Sequence, residues 1–521
     1  MQKSISVKIY PSEAENEFAI RVHAAGILSV DVNDITGFQI IKRSIDARGK
    51  QVWITLSLLV FIQEPFHTRA TQTINFKEVK TASQKVIVIG SGPAGLFASL
   101  KLIEAGIQPV ILERGKEVRA RRRDLAVLNK QGIVNPDSNY CFGEGGAGTY
   151  SDGKLYTRSN KRGDINRILN LFAQFGAEEK ILYEAHPHIG TNKLPQIIIA
   201  IRNKIIDCRG EFLFEKKVTD FIIKNNRITA VKTSDGNSFE AAAVILATGH
   251  SARDIFLLLH EKKVLIELKP FALGVRVEHP QQLIDSIQYN ASQRGTFLPP
   301  ASYSLVQQVK GRGVFSFCMC PGGIIAPAAT NASELVVNGW SPSKRNNPFA
   351  NSGMVVSVEV ADLATYQNKY GALSGMYFQQ EVEQKAFNYG GGNFVAPAQR
   401  LVDFVNNKVS ADMPACSYVP GICSASMKEV LPGFIYDSLK EGLKEFGRKM
   451  KGYLTNEAVA VATESRTSSP VRIPRNNETL QHPQIDNLYP CSEGAGYAGG
   501  IISAAMDGEK VAQAVSLMVN G

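Results

Sequence analysis

The 521-residue chain has few cysteines and tryptophans and no long hydrophobic run. Its seven cysteines are odd in number and lack a regular spacing, which excludes a disulfide-stapled fold and predicts free thiols in a reducing compartment. The longest apolar stretch, residues 53–62, is far shorter than the roughly 20 residues that span a bilayer. The N-terminal segment has no apolar core like that of a secretory signal. We therefore expect a cytoplasmic protein without membrane insertion.

The composition is that of an ordinary globular protein. Hydrophobic residues make up 44 % and charged residues 20 %, with 44 glycines, which excludes a disordered or fibrous chain. The length predicts about three domains. The net charge of +10 is small for this length, and part of it lies in the run 114–123. Since basic and stacking aromatic residues form no joint pattern, nucleic-acid binding is not favoured.

The sequence divides into four segments. Residues 1–82 alternate strand-like runs with one helical stretch and predict a small α+β domain, ending in a polar linker over 76–84. Residues 83–264 begin with a βαβ unit that predicts a parallel sheet. Residues 265–430 contain many β-rich runs and predict an inserted substrate or cap domain. Residues 431–521 then return to the domain that began at residue 83.

A glycine-rich turn follows the strand-like run 86–89 and precedes a helical run. Gly90 makes the tight turn, Gly92 allows the backbone to approach a pyrophosphate, and Gly95 permits close helix packing. Pro93 suits the first helical turn, where its missing N–H costs nothing, and Ala94 follows it. The next strand ends at Glu113, where a carboxylate would accept both ribose hydroxyls. The pattern predicts binding of FAD or NAD rather than NADP.

Three later segments distinguish FAD from NAD. They are a hairpin-like stretch over 212–240, an apolar strand that ends in Ala247-Thr248-Gly249, and a glycine-rich segment over 487–502. This combination resembles the two-dinucleotide-binding-domain flavoproteins. The resemblance implies FAD, with its adenosine end on the 90–113 unit. It also implies that Glu493 approaches the ribityl chain and that the 494–501 backbone meets the flavin pyrimidine.

Four further segments, 140–155, 247–254, 317–323 and 464–472, resemble a bacterial family of uncharacterised FAD-dependent, or NAD-utilising, dehydrogenases. The resemblance covers nearly the whole chain and brings no known substrate. It implies a Rossmann-like α/β FAD/NAD(P)-binding domain with the inserted β-rich domain and the small N-terminal domain. The expected cofactor-binding residues are Gly90, Gly92, Pro93, Ala94, Gly95, Glu113, Arg114, Gly145, Gly146, Val218, Ala247, Thr248, Gly249, Glu493, Gly494, Gly500 and Ile501.

Three side chains are candidates for catalysis. His250 follows the strand that ends at Ala247, and histidine moves protons near neutral pH. Arg466 and Arg472 flank a loop rich in Ser and Thr, a composition suited to holding a carboxylate or phosphate. For each of the three, a structural role is the alternative.

Metal binding is not expected, because no cysteine or acidic cluster accompanies His186 and His188. Cys318 and Cys320 are either a flavin-linked dithiol or buried packing residues, and the sequence leaves both open.

These features predict a FAD-dependent oxidoreductase that transfers hydride through flavin N5 to or from an unidentified small molecule, with an anionic substrate favoured. A second GxGxxG turn for a pyridine nucleotide is absent, so NAD(P)H is a candidate electron donor without a motif of its own. The alternatives are a flavin monooxygenase or oxidase, an RNA-associated flavoprotein, and a flavin sensor without catalysis. The sequence does not indicate the direction of the reaction or the oligomeric state.

Overall fold

The computed structural model describes residues 1–79, 84–157, 163–240 and 242–520. The predicted domain boundary between residues 82 and 83, and part of the predicted linker, lie outside the described residues. Residues 1–79 form β1 (Gln2–Ile9), α1 (Glu17–Leu28), β2 (Ile35–Asp46) and β3 (Trp53–Ile62). β3 is the central strand of an antiparallel sheet and buries every second side chain beneath α1. The Asn16 side chain accepts a hydrogen bond from the Ala19 N–H and caps α1.

The next segment builds a parallel sheet covered on both faces. Its elements are β4 (Lys85–Ile89), α2 (Pro93–Glu104), β5 (Gln108–Leu112), α3 (Val118–Gln131), α4 (Ile165–Gln174), α5 (Leu194–Asp207), β6 (Glu211–Leu213), β7 (Val218–Lys224), β8 (Arg227–Thr233), β9 (Ser238–Glu240), β10 (Ala243–Leu246) and α6 (Arg253–Glu261). Val86 and Val88 of β4 pack with α2 and α5 on one face. Ile87 and Ile89 pack with α6 and the β7–β8–β9 sheet on the other, which is why β4 is apolar without alternation.

The third segment is rich in strands. Its elements are β11 (Glu267–Leu268), β12 (Phe271–Pro280), α7 (Gln281–Tyr289), β13 (Val306–Val309), β14 (Arg312–Cys320), β15 (Ile324–Pro327), β16 (Val337–Trp340), β17 (Phe349–Val358), α8 (Ala364–Tyr370), α9 (Ser374–Tyr389), β18 (Ala396–Arg400), α10 (Leu401–Asn406), β19 (Ile422–Ser424), α11 (Met427–Val430), α12 (Gly433–Lys449) and β20 (Val459–Glu464). Seven of these strands form one sheet in the order β13-β14-β17-β12-β20-β18-β19. A large cluster of buried apolar side chains lies between this sheet and α12.

The chain then returns to the parallel sheet through β21 (Val471–Arg472), β22 (Leu488–Pro490) and α13 (Ile501–Asn520). β22 pairs with β10, so the parallel sheet has the order β22-β10-β4-β5-β6. The structure confirms the predicted α/β class with a β-rich part. The domain boundaries stay a prediction, but the seven-stranded sheet continues past residue 430, because β20 pairs with β12. In the described ranges, no helix has the length and apolar character that crossing a membrane requires.

Short 3₁₀ turns connect several of these elements. They cover Glu13–Glu15, Val32–Asp34, Gly146–Gly148, Glu179–Leu182, Val360–Leu363 and Gly371–Leu373.

Helices α2 and α13 pack closely on each other. A Cβ atom at Gly508 in α13 would lie 2.1 Å from the carbonyl oxygen of Ala94 in α2. Only glycine fits at that distance, so this contact sets how closely α13 approaches the glycine-rich turn at the start of α2.

We expect Gly508→Ala to lower stability by about 1–3 kcal/mol, because the added methyl group forces the two helices apart. Gly26→Ala in α1 is the matched control, since Gly26 is helical and exposed and has no atom within 4 Å of a built Cβ. That variant should be neutral or more stable by about 0.5–1 kcal/mol. Thermal unfolding followed by circular dichroism measures both. An unchanged midpoint for Gly508→Ala would contradict the close helix contact.

Candidate functional site

The turn between β4 and α2 is shaped by glycine. Gly90 has φ +100°, and a Cβ there would lie 2.5 Å from the carbonyl oxygen of Ala247. A Cβ at Gly95 would lie 2.0 Å from the Gly90 oxygen. Gly92 caps α2 without a side-chain hydrogen bond, and Pro93 is the first helical residue. The N-terminus of α2 therefore ends in bare backbone, the arrangement that binds phosphate groups.

Glu113 holds three loops together. One carboxylate oxygen accepts from the N–H and hydroxyl of Ser91, at 3.0 and 2.6 Å. The other accepts from the N–H groups of Gly115 and Gly143, at 2.9 and 3.0 Å. A carboxylate offers about four acceptor positions, so the chain's own donors fill them. Glu113 lines the cavity described below, but a ribose hydroxyl would have to displace one of these donors.

Arg114 is likewise held by the protein. Its guanidinium donates to Asp137 and to Asp254, and it lies 4.0 Å from the centre of the Phe142 ring. These contacts hold the Arg114 guanidinium in one position beside Glu113.

A second glycine loop lies opposite the first. Gly143, Gly145 and Gly146 all have positive φ, which an ordinary side chain disfavours. The buried Arg121 donates to four carbonyl oxygens of this loop and its approach, those of Asn139, Tyr140, Gly143 and Glu144. A Cβ at Gly146 would lie 3.1 Å from the Gly92 Cα, so bare backbone faces bare backbone.

These loops form one wall of a cavity of about 270 Å³, which we call the inner cavity. It opens at the carboxyl ends of the parallel strands, where ligands bind in sheets of this kind. The expected cofactor residues on its wall are Gly90, Gly92, Pro93, Ala94, Glu113, Arg114, Gly146, Val218, Ala247, Thr248, Gly249, Glu493, Gly500 and Ile501.

Three expected cofactor residues support this wall from behind. Gly95 packs against Gly90, Gly145 against Thr149 and Ile198, and Gly494 against Gly249. Their small size lets the loops approach one another, and a direct contact with a ligand stays a prediction.

The seven-stranded sheet supplies the opposite wall. Phe317 and Cys318 from β14 and Asn338 from β16 line the inner cavity, together with Lys154, Lys216 and Lys217. The expected binding set contains none of these six residues, although the sequence offers Cys318 as one of a flavin-linked pair and Lys154 as a positive charge near the flavin. No local pattern identifies Asn338, Lys216 and Lys217, because the fold brings them to the cavity from distant parts of the chain.

Glu493 lies at the start of the C-terminal glycine segment. Burial raises the pKa of Glu493 to about 7, although Lys269 opposes the shift. Gly500, with φ +85°, leads into α13, whose first residues also line the inner cavity. The N-termini of α2 and α13 therefore both end at this cavity.

His250 lies on the wall of the inner cavity, as the sequence predicts. Its Nδ1 atom is 3.0 Å from the Ser251 hydroxyl oxygen. Burial, together with the nearby Arg466 and Arg253, lowers the pKa of His250 to about 4. The imidazole is therefore neutral at pH 7 and can take part in hydrogen bonds, but a pKa this low makes it a weak base near neutral pH.

Arg466 is engaged in a buried ion cluster. Its guanidinium donates to both carboxylate oxygens of Glu383, at 3.1 and 3.0 Å, and also to Glu334 and Thr330. Arg253 joins the same two carboxylates. Burial opposes ionisation of Glu383, but the two arginines lower its pKa to about 2. Arg466 also lines the inner cavity, but its donors already hold Glu383, Glu334 and Thr330, so a role as substrate anchor stays a prediction.

Arg472 lies elsewhere. It is exposed on β21, and its guanidinium lies 5.7 Å from the Tyr497 ring centre. It is not among the described residues on the wall of the inner cavity. The structure therefore does not place Arg472 with His250, because β21 pairs with β11 outside that wall.

A second cavity, of about 850 Å³, adjoins the first, and we call it the outer cavity. Lys154 and Cys318 line both cavities. The Lys154 ammonium donates to the Met319 carbonyl and lies 3.6 Å from Asp152 and 3.9 Å from the Cys318 sulfur. Among the described residues, no aspartate or glutamate lines the outer cavity, whereas three further cations do: Arg345, Lys449 and Lys451.

We expect Arg466→Met to destabilise the protein by about 3–5 kcal/mol, since it leaves Glu383 and Glu334 buried beside too little positive charge. Arg472→Met is the matched control and should change stability by less than about 0.5 kcal/mol. Thermal unfolding compares the two variants. A normal midpoint for Arg466→Met combined with weaker substrate binding would restore the anchoring role.

Glu493 should make stability depend on pH. A carboxyl group whose pKa rises from 4.5 in the unfolded chain to about 7 in the fold contributes stability that is lost as pH increases through this window. Glu493→Gln should therefore match the unmodified protein at pH 4 and unfold at a higher temperature at pH 8. Glu267→Gln on the exposed strand β11 is the control. Equal differences at both pH values would contradict a buried, titrating Glu493.

Comparison with known proteins identifies domains along most of the chain. A family model described as "FAD-dependent protein, C-terminal domain-like" matches residues 270–467. A model described as "FAD binding domain" matches residues 83–130, and a domain of unknown function (DUF8436) matches residues 1–61.

The solved structures that match over most of this chain are distant in sequence and have low TM-scores. They include the flavin-dependent brominase Bmp2, at 13 % identity and TM-score 0.37, covering 84 % of this chain and 80 % of that one. Glycine oxidase from Bacillus cereus has 13 % identity and TM-score 0.30, covering 84 % and 96 %. CtdE in complex with FAD has 10 % identity and TM-score 0.30, covering 83 % and 85 %.

Two curated relatives are similar in sequence. Thiamine thiazole synthase from Aeropyrum pernix is 26 % identical over 182 residues, which cover 32 % of this chain and 55 % of that protein. An uncharacterised protein from Clostridium beijerinckii is 39 % identical over 504 residues, which cover 93 % of each chain. With the FAD-binding and FAD-dependent domain matches, this shows that the chain belongs to the same family of FAD-dependent flavoproteins as the Clostridium beijerinckii protein.

Proposed function

We propose that this protein is a FAD-dependent dehydrogenase or reductase that binds FAD in the inner cavity and passes hydride between flavin N5 and a small anionic molecule from the outer cavity. One observation carries the proposal. The N-termini of α2 and α13 and two opposed glycine loops meet at a single cavity, and the seven-stranded sheet closes that cavity from the other side.

The residues present fit FAD. Gly92 has no Cβ atom at the N-terminus of α2, so a pyrophosphate can approach the backbone N–H groups there. The buried Thr248 hydroxyl oxygen lines the inner cavity and has no hydrogen-bond partner among the described residues. A buried polar atom without a hydrogen-bond partner costs free energy, and a bound ligand that supplies such a partner would remove that cost.

The α13 N-terminus suits a group that gains negative charge. Its unpaired N–H groups and positive dipole end stabilise an anion nearby. Bound FAD supplies the redox chemistry, and the protein supplies its position and charge. Lys154 adds a positive charge on the opposite wall, and neutral His250 offers a hydrogen-bonding group within the same cavity.

The outer cavity suits an anionic substrate. Four cations line it, and the described part of its wall carries no carboxylate, although Asp152 pairs with Lys154 and Arg345. Lys449 and Lys451 therefore supply most of the attraction for a carboxylate or phosphate. Lys154 and Cys318 line both cavities, so a molecule in the outer cavity approaches the inner one beside these two side chains. The wall position of Lys154 makes it the proposed residue for orienting the substrate.

An anaerobic absorbance spectrum tests this function. The purified protein should show a flavin band that bleaches on titration with NADH or NADPH and returns slowly when air is admitted. Bleaching by neither nucleotide would contradict a pyridine-nucleotide-linked reaction. Rapid reoxidation with peroxide formation would replace the dehydrogenase with an oxidase.

Two glycine variants locate the cofactor. Gly92→Ala should keep the fold, since a built Cβ is 3.9 Å from its nearest neighbour, but should bind FAD at least about tenfold more weakly because its methyl group keeps the pyrophosphate from the backbone N–H groups. Gly95→Ala is the control for stability, since its Cβ clashes with the Gly90 oxygen at 2.0 Å and should lower the unfolding temperature of the FAD-free protein. Normal FAD affinity in Gly92→Ala would place the cofactor elsewhere.

A further inference from the structure

We propose that Cys318 and Cys320 form a thiol–disulfide exchange site, with Cys318 attacking low-molecular-weight disulfides that carry carboxylates and enter through the outer cavity. The proposal goes beyond the proposed function and needs no bound flavin. Cys318 is the sulfur that lines both cavities, and Cys320 lies directly behind it, fully buried.

The backbone presents Cys318 to the cavities. The pairing of β14 with β17 shifts register between Phe317 and Cys320, so Cys318 lies in a bulge. Its φ of +45° is a left-handed conformation that non-glycine residues rarely adopt. Such bulges commonly re-aim a side chain beside an active site.

The surroundings favour the Cys318 thiolate. The neighbouring Cys320 thiol, Lys154 and Arg276 together lower the pKa of Cys318 well below its usual range, despite burial. The Lys154 ammonium is 3.9 Å from the Cys318 sulfur, and Arg276 donates to the Cys318 carbonyl at 2.7 Å. A thiolate is the reactive form of cysteine, so these cations favour nucleophilic attack.

Cys320 is placed to complete the exchange. Its sulfur is 3.3 Å from the Cys318 carbonyl oxygen and 3.5 Å from the Arg276 guanidinium. Burial and the neighbouring thiolate raise the pKa of Cys320, so it stays a protonated thiol until Cys318 has reacted.

The exchange has two steps. The Cys318 thiolate attacks one sulfur of the disulfide, which forms a mixed disulfide and releases one thiolate. The Cys320 sulfur then attacks the Cys318 sulfur, its proton passes to the second released thiolate, and a Cys318–Cys320 disulfide remains. Two protein thiols are oxidised, and one substrate disulfide is reduced to two thiols.

The dianionic disulfide dithiobis(nitrobenzoate) tests the site on the full-length protein, with and without FAD. The unmodified chain should release two molar equivalents of thionitrobenzoate in a fast phase, and peptide mapping should find a Cys318–Cys320 disulfide. Cys320→Ser should release one equivalent and keep a stable mixed disulfide on Cys318. Lys154→Met should slow the fast phase about tenfold at pH 6, because less Cys318 is then thiolate.

Cys423, whose pKa burial raises, provides the control, and Cys423→Ser should keep the fast phase. Peptide mapping of the unmodified protein tests for the Cys318–Cys320 disulfide directly, so this result does not depend on the folding of any variant. Labelling of Cys423 as fast as Cys318, or an unchanged fast phase in Cys318→Ser, would overturn the proposal. A protein that binds no FAD but shows the fast phase would contradict the proposed function and leave the exchange site supported.

Discussion

The inner cavity depends on contacts between backbone segments that only glycine permits. A Cβ at Gly494 would lie 2.7 Å from the Gly249 oxygen, and one at Gly508 would lie 2.1 Å from the Ala94 oxygen. These contacts join the loop after β10 and the start of α2 to the C-terminal segment, which follows the seven-stranded sheet in the chain. Because backbone approaches backbone, N–H groups rather than side chains form much of one wall, which is the surface a dinucleotide pyrophosphate requires.

A cluster of buried charged side chains connects the parallel sheet to the β-rich part of the molecule. Arg253 begins α6 beside the parallel sheet, whereas Glu383 lies on α9 and Arg466 follows β20. Their ion cluster therefore connects the parallel sheet to the β-rich part. Removing one partner of such a cluster leaves an uncompensated buried charge, so the geometry between the two parts is strongly specified. His250 lies beside this cluster, and burial together with Arg466 and Arg253 lowers its pKa.

Local sequence rules predicted the elements that local physics determines. The strand before Gly90, the helix opened by Pro93 and the strand before Glu113 follow from apolar runs and glycine positions, and the structure has all three. The same rules could not assign Arg466. An arginine that anchors a substrate and one that pairs with buried glutamates have the same local sequence, and only the fold brings Glu383, distant in the chain, within hydrogen-bond distance.

Glu113 shows the same limit at closer range. Its position after β5 predicted a ribose contact, and it does reach the cavity wall. The sequence could not show that Ser91, Gly115 and Gly143 donate to it first. Its carboxylate therefore connects the glycine turn to the opposite loop, whatever further partner it takes. The domain limit expected at residue 430 depends in the same way on long-range pairing, since β20 joins β12 across the sheet.

The wall shared by the two cavities couples their chemistry. One ammonium group, that of Lys154, lies beside Asp152 and the Cys318 sulfur and also faces the outer cavity. Burial alone would lower the pKa of Lys154, but the sulfurs and Asp152 raise it, so the charge persists at neutral pH. An anion in the outer cavity and the Cys318 thiolate then draw on the same positive charge. Binding of the anion therefore weakens the attraction between Lys154 and the Cys318 thiolate. By thermodynamic linkage, the thiolate weakens binding of the anion to the same extent.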